Sequence, residues 1–144
     1  MAVTHKLYGP AMKNLANGNI SALTTEMRVA LMSTDSAFSF NQDNEYWATI
    51  STGQLSTSTV TDYPSSGVVL GGPSLAYAAR ITTLSATSET VFTSTGSISS
   101  AFAVIHASSY LVSCIDFDGA QASSDGKFAI AYTDNKVLTI TVSA

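Results

Sequence analysis

Only the start of the chain carries apolar residues at helical spacing. Between Pro10 and Gly18 they recur every three or four positions, so that one face of a helix is apolar. Pro10 is suited to the first helical position, where its missing N–H costs nothing, and Gly18 tolerates the left-handed conformation that ends many helices. We therefore predict a short helix over residues 10–17, preceded by an N-terminal arm of residues 1–9.

Beyond this helix the apolar period changes to two, which is typical of strands. Met27, Val29 and Leu31, for example, share one face of the first predicted strand. Turn residues then recur at short intervals, which favours an antiparallel β-sandwich or flattened barrel. We predict a mainly β fold with one short N-terminal helix, in which residues 24–144 form the sandwich and residues 1–144 a single domain.

Several later segments carry more specific predictions. Residues 110–117 are apolar on both faces, which predicts a central strand, and the polar residues 118–126 predict a loop. Residues 43–50 fit either an irregular segment or one helical turn capped by Asp43. In the last strand we expect Val137 to face outward. The predicted strands comprise residues 26–32, 54–60, 68–70, 75–84, 90–94, 98–106, 110–117, 127–133 and 136–143, with turns at 62–67, 108–109 and 134–135.

The composition is unusual for a domain of 144 residues. Charged residues make up 11% of the chain, whereas Ser and Thr number 22 and 18. Typical soluble domains are about 25% charged, and Lys and Glu are depleted where surfaces are covered by partners. We infer a subunit whose surface is largely covered by neighbouring proteins. A Ser/Thr-rich β-domain that is simply soluble is the alternative.

The charge pattern argues against several classes of partner. The net charge is -4, and the six basic residues are spread along the chain. Because no basic cluster is available to hold phosphates, we expect no binding of nucleic acid. No apolar run approaches the roughly 20 residues of a membrane span, and the N-terminal residues lack a secretory signal. We expect synthesis in the cytoplasm and no membrane partner.

The residues that carry catalytic or metal chemistry are sparse. His5 and His106 lie far apart, and Cys114 sits in an apolar run that predicts an inert buried thiol. Zinc sites need three or four ligands, which these residues do not supply. The run from Asp116 to Gly119 has alternating carboxylates but lacks the further ligands of a calcium loop. No Gly-x-Ser-x-Gly elbow occurs. We therefore predict no enzyme activity, no metal and no cofactor.

A resemblance to known proteins adds a specific expectation. The segments resemble, in their order along the chain, a group of small virion structural proteins of tailed bacteriophages, and the likeness extends over most of the chain from Lys6 onward. The motifs that carry it are Gly18-Asn19-Ile20, Met27-Arg28-Val29-Ala30-Leu31, Ser99-Ser100-Ala101-Phe102-Ala103-Val104-Ile105, Leu111-Val112-Ser113-Cys114-Ile115-Asp116-Phe117 and Gly126-Lys127-Phe128-Ala129-Ile130-Ala131-Tyr132.

The resemblance implies a subunit of a phage particle, and a capsid decoration (cement) protein is the role we expect. Such a protein would bind the major capsid protein where shell subunits meet, would associate with itself as a homotrimer, and would lie on the capsid surface of the virion. Binding to the assembled shell and not to loose subunits would stabilise the shell by mass action.

Aromatic and apolar residues near the N terminus are the candidates for the contact surface. Tyr and Trp dominate energetic hot spots because they bury large, rigid area. Core packing is the alternative role for the same residues. The interface residues that we predict are Leu7, Tyr8, Met12, Tyr46, Trp47 and Tyr63.

A second function remains open at this point. A head-fibre or tail adhesion module that binds a host-surface glycan would need an aromatic platform beside acidic or amide side chains. Trp47, with Asp43 and Asn44, is the local cluster of that kind. An enzyme, which a generic hydrolase screen would test, is a third and weaker alternative.

Overall fold

The computed structural model describes residues 4–21, 26–56, 63–87, 89–123, 126–132 and 136–141. Within them the fold is mainly β with antiparallel sheets, as the sequence predicts, and it has two short helices where the sequence predicts one. In chain order the elements are β1 (Thr4–Leu7), α1 (Gly9–Ala16), β2 (Met27–Ser33), α2 (Trp47–Ile50), β3 (Val68–Val69), β4 (Ser74–Ala78), β5 (Ile81–Ser85), β6 (Glu89–Thr93), β7 (Ile98–Ala107), β8 (Tyr110–Ser123), β9 (Lys127–Ala131) and β10 (Lys136–Thr141).

A five-stranded antiparallel sheet forms the middle of the molecule. Its strand order is β1-β8-β7-β2-β3. The β7–β8 hairpin closes at Ser108 and Ser109, the turn that the sequence predicts. β8 has a neighbour on each side, which confirms the prediction of a central strand. Its inner residues, such as Leu111 and Ile115, are almost fully buried.

Each face of this sheet covers a separate apolar core. On one face the sheet packs against two smaller sheets, β10-β5-β4 and β6-β9. On the other face it packs against α1, α2 and the loop that holds Phe38 and Phe40. β2 contributes to both cores, because Val29 and Leu31 face the first and Ala30 and Met32 the second. A strand between two cores is apolar on both faces, for the same reason that buried sheets are.

The N-terminal prediction is partly corrected. The helix begins one residue earlier than predicted, at Gly9, and ends at Ala16. The residues before it do not form an arm, since Thr4–Leu7 is a strand paired with β8. Pairing satisfies the backbone groups along an edge of β8 that an arm would leave open. Residues 1–3 of the predicted arm lie outside the described residues.

Three other predictions are corrected by backbone irregularities. The predicted strand over 75–84 is a hairpin of β4 and β5, and the predicted loop over 118–126 is in part the continuation of β8 beyond a bulge. A register shift in β10 buries Val137 as well as Leu138, so that Val137 does not face outward. An extra residue in one strand reverses the alternation of the side chains that follow it.

Two predicted segments differ in the described residues, and others cannot be compared. Of the predicted strand at residues 54–60, Gln54 forms a single bridge to Met32. The helical turn predicted near residue 43 is α2, which begins after Tyr46 rather than at a cap formed by Asp43. Residues 57–62 and the predicted turn at 134–135 lie outside the described residues.

Candidate interaction surface

Three of the six predicted interface residues are core residues. Tyr8 and Tyr63 are 0% and 2% exposed, and Trp47 is 9% exposed. Because the described fold already buries these rings on several sides, they present little exposed area to a partner. Burial raises the pKa of Tyr63 to about 12, since it disfavours the phenolate.

The contacts of these rings explain why they are buried. The Tyr63 hydroxyl accepts a hydrogen bond from the Leu31 backbone N–H at 2.8 Å, where the two-residue strand β3 no longer reaches β2. Tyr8 packs against Phe40 with 4.9 Å between ring centroids. Trp47 stacks on His106 at 4.2 Å, with the two rings nearly parallel. Each ring closes an end of the five-stranded sheet or covers one of its faces.

The other predicted residues lie at or near the surface. Met12 is 47% and Tyr46 is 48% exposed, whereas Leu7 is half-buried between the two cores. An ion pair of 2.9 Å between Lys13 Nζ and Glu45 Oε1 joins α1 to the segment before α2. Met12 and Tyr46 are the sequence neighbours of this pair. We call Met12 and Tyr46 the helix-side surface.

A second exposed apolar surface was not predicted. All five residues of β4 are exposed, and Leu75 and Tyr77 are 48% and 69% exposed. β4 is an edge strand of the sheet β10-β5-β4. The sequence signal was the alternation of Leu75 and Tyr77 with alanines, but it does not show which apolar strands lie at an edge. We call β4 the free-edge strand.

A cleft lies beside the Trp47–His106 stack. Its volume is about 430 Å³. The lining residues are Glu26, Arg28, Trp47, Ser66, His106, Ser108 and Ser109.

The charged and imidazole side chains of this cleft are already engaged. His106 Nδ1 lies 3.1 Å from the Ser108 carbonyl oxygen, and Nε2 lies 3.0 Å from that of Ser66. Burial lowers the pKa of His106, although the two carbonyl oxygens act in the opposite direction. Arg28 donates to the Glu26 carboxylate at 2.7 Å and to the Gly67 carbonyl oxygen at 3.0 Å. The contacts of His106 therefore link the turn before β3 to the β7–β8 hairpin across this cleft.

Catalytic chemistry finds no support in these contacts. Both nitrogens of His106 face backbone carbonyls, so that neither is paired with a hydroxyl nucleophile or an orienting carboxylate in the described contacts. Within the described ranges, no three His, Cys, Asp or Glu side chains are grouped to hold a metal ion. Cys114 is a free, fully buried thiol, as predicted, and burial raises its pKa to about 12.

The carboxylates that suggested a calcium loop have a structural environment instead. Asp116 Oδ2 accepts a hydrogen bond from Lys6 Nζ at 2.9 Å, and its Oδ1 accepts one from the Asp118 backbone N–H. The Lys6 ammonium lowers the pKa of Asp116. Asp118 and Gly119 both adopt positive φ angles in the bulge of β8, which favours a glycine at the second position.

None of the helices in the described part of the chain is long and apolar enough to cross a membrane. Comparison with protein-family models, with curated proteins and with solved structures found no match.

Proposed function

We propose that the protein is a non-catalytic structural subunit of a tailed-bacteriophage particle, a capsid decoration protein that binds between major capsid subunits as a homotrimer. Its place is the outer surface of the capsid. Its action is passive, because each copy that binds the assembled shell but not its separate subunits stabilises the shell. Neither nucleic acid nor a membrane enters the proposal.

The observation that carries this proposal is the chemistry of the exposed surface. Charged side chains are 11% of the chain, yet large apolar side chains such as Met12, Tyr46 and Tyr77 are about half exposed or more. Isolated exposed apolar residues are ordinary, but an uncharged strand exposed along its whole length is a liability that soluble proteins avoid. Contact with neighbouring proteins would bury these apolar side chains and pair the exposed strand edge.

The helix-side surface is the part that we assign to the shell. Met12 supplies a flexible apolar side chain and Tyr46 a rigid one with a polar tip, a combination typical of protein interfaces. The Lys13–Glu45 ion pair and the hydrogen bond from Asn14 to the Glu45 carboxylate link the two elements that carry them. Because the pair is already formed in the free chain, docking requires little ordering of this surface.

Co-sedimentation tests the proposal directly. The purified chain is mixed at micromolar concentration with DNA-free capsids assembled from the major capsid protein of the same phage, and the shells are pelleted. We expect the chain to pellet with the shells at a saturating ratio and to raise their melting temperature. A chain that stays in the supernatant contradicts the decoration role.

Variants identify the binding surface. The double substitution Met12→Ser with Tyr46→Ser should abolish pelleting, because truncating a residue that acts as an interface hot spot weakens binding by more than about tenfold. Thr139→Ala, an exposed change on β10, is the matched control and should bind as the wild type does. Equal loss in both variants would show a folding defect rather than a binding surface.

Glycan adhesion stays the second prediction from the sequence, and its test is separate. The Trp47 platform that it requires is 9% exposed, with one ring face against His106. Loss of binding on a glycan array in a Trp47→Ala variant that still binds shells would favour adhesion over decoration.

A further inference from the structure

The backbone of the free-edge strand has hydrogen-bonding groups that point away from its sheet. β4 and β5 pair without a register shift from Ser74↔Ser85 to Ala78↔Ile81, and the residues that connect them, Ala79 and Arg80, both have positive φ angles. In a hairpin with a two-residue turn of this kind, the two residues that flank the turn, here Ala78 and Ile81, form a hydrogen-bonded pair. Hydrogen-bonded pairs alternate along an antiparallel ladder. The N–H and C=O groups of Leu75 and Tyr77 therefore point outward.

The side chains of this strand allow it to face a copy of itself. No charged residue occurs between Val68 and Ala79. Small and large residues alternate in the strand, so that Leu75 and Tyr77 lie on one face and Ala76 on the other. A charged edge would place like charges together across a symmetry axis, and this edge does not.

One register satisfies both the backbone and the side chains. When two β4 strands run antiparallel about a two-fold axis at Ala76, Leu75 of each copy lies opposite Tyr77 of the other. These are the residues whose backbone groups point outward, so that each pair exchanges two hydrogen bonds. The same pairs place an aliphatic and an aromatic side chain in contact across the strands, which is a favourable cross-strand combination.

We infer that β4 pairs with β4 of a second copy of this chain and joins two three-stranded sheets into one of six strands. The contact is isologous, since the same strand serves both partners, and it leaves no further β4 edge on which a fibre can grow. It deepens the proposed function by naming the partner of this surface, and it rests on that function only for its place in a particle. There, a two-fold contact links one homotrimer to the next rather than holding a trimer together.

Disulfide trapping tests the register. At the axis, the Cα atoms of the two Ala76 residues lie about 4.5 Å apart as a non-hydrogen-bonded pair, within the range that a disulfide bridges. The substitution Ala76→Cys in the full chain should therefore give a covalent dimer with oxidised glutathione. Ala78→Cys is the matched control on the same face, where the two Cα atoms would lie about 13 Å apart and beyond reach of a disulfide. The native Cys114 is buried and does not compete.

We expect Ala76→Cys to dimerise at least about tenfold faster than Ala78→Cys, because only the former meets its own counterpart. Equal rates, or a faster reaction for Ala78→Cys, overturn the register and with it the inference.

Sedimentation equilibrium of the wild-type chain tests the pairing without any cysteine substitution. From a monomer we expect a reversible, concentration-dependent doubling of the mass, whereas a homotrimer, which carries three β4 strands, should form larger assemblies of linked trimers. Leu75→Pro removes an outward N–H but none of the β4–β5 hydrogen bonds, and should weaken this doubling by at least about tenfold because the loss occurs twice in a two-fold contact. Leu75→Ala keeps the N–H group and should weaken it less.

The outcomes separate this inference from the proposed function. Capsid binding without mass doubling or disulfide trapping would show that the decoration role holds and that β4 does not pair with a second copy, which overturns the inference alone. Mass doubling without capsid binding would overturn the decoration role alone. Growth of a chain that is monomeric at low concentration into open-ended polymers contradicts a closed two-fold pair.

Discussion

β2 and β4 are both apolar strands, yet one is buried on both faces and the other is exposed along its whole length. β2 has Leu31 directed into the core between the sheets and Met32 into the core beneath the helices. β4 has Leu75 and Tyr77, which are 48% and 69% exposed at an edge of a three-stranded sheet. The same kind of sequence thus stabilises the domain in one place and leaves a surface for association in the other.

This difference is a matter of position in the sheet rather than of side-chain chemistry. β2 has β7 on one side and β3 on the other, with layers above and below it, so that its apolar area is removed from water during folding. β4 has β5 on one side, and its outer edge and much of its side-chain area stay in water. Its apolar area can contribute free energy only when a second molecule covers it.

The largest expected effect comes from the same substitution made in the two strands. Leu31→Ala removes a fully buried side chain and should lower the free energy of unfolding by about 3 kcal/mol, from lost burial and the cavity that remains. Leu75→Ala should change it by less than about 0.5 kcal/mol. Urea unfolding at a protein concentration below that of self-association measures both. Similar losses in the two variants would mean that β4 is packed in the free domain.

The second effect concerns two tyrosines. Tyr63→Phe deletes the hydroxyl that accepts the Leu31 N–H, and a buried donor without a partner costs about 1–3 kcal/mol. Tyr77→Phe removes a hydroxyl on the exposed strand and should leave stability unchanged. The same urea measurement compares them. A stable Tyr63→Phe variant would show that the Leu31 N–H finds another acceptor.

The third effect is a dependence on pH that only the buried region should show. Burial lowers the pKa of folded His106 below its ordinary value of 6.5, so that the unfolded chain takes up the proton first as the pH falls. Its contribution to stability is therefore complete above about pH 6.5 and declines below it, by at most about 1.4 kcal/mol per pH unit.

The variant His106→Asn isolates this effect, because it leaves the other titrating groups, His5 among them, unchanged. The free energy of unfolding of the wild type should fall more steeply between pH 7.5 and pH 5.5 than that of the variant. β4 carries no group that titrates in this interval, so that its association should be the same at both pH values. A steeper fall of the free energy of unfolding in the variant would show that the pKa of folded His106 is raised rather than lowered.

Much of the buried region follows from the sequence. The alternation in β7 and β9, the apolar run in β8 and the Ser108-Ser109 turn predict three strands in the right places, because each strand buries at least one complete face. The helix was predicted from Pro10 and Gly18, which lie just inside its start and just past its end. Local apolar patterns predict a strand or helix correctly where its apolar side chains face a continuous core.

The candidate surface follows from the sequence much less well. Tyr8, Trp47 and Tyr63 are in the core while Tyr46 and Tyr77 are outside, although all five are aromatic. Large amphipathic rings serve both roles, and the choice depends on which elements pack over them, which is a long-range property.

The β4–β5 hairpin was missed for a local reason. Its turn consists of Ala79 and Arg80, although turns with two positive φ angles are dominated by Asn and Gly. Without those residues, the segment from Leu75 to Leu84 has the pattern of one long strand. The positive φ angles of these two residues therefore lower the stability of the hairpin, and a substitution in the turn can measure this free-energy cost.

The smallest effect that we predict tests this turn. Arg80 has a φ angle of 67°, a region that costs residues with a Cβ about 1–2 kcal/mol and glycine none. Glycine in turn loses about 0.5–1 kcal/mol in chain entropy, so that Arg80→Gly should raise the free energy of unfolding by about 0.5 kcal/mol. Ala78→Gly, in the strand beside it, should lower stability by about as much. If both substitutions are destabilising, Arg80 does not hold the left-handed conformation, and the outward direction of the Leu75 and Tyr77 amides, which depends on this turn, no longer follows.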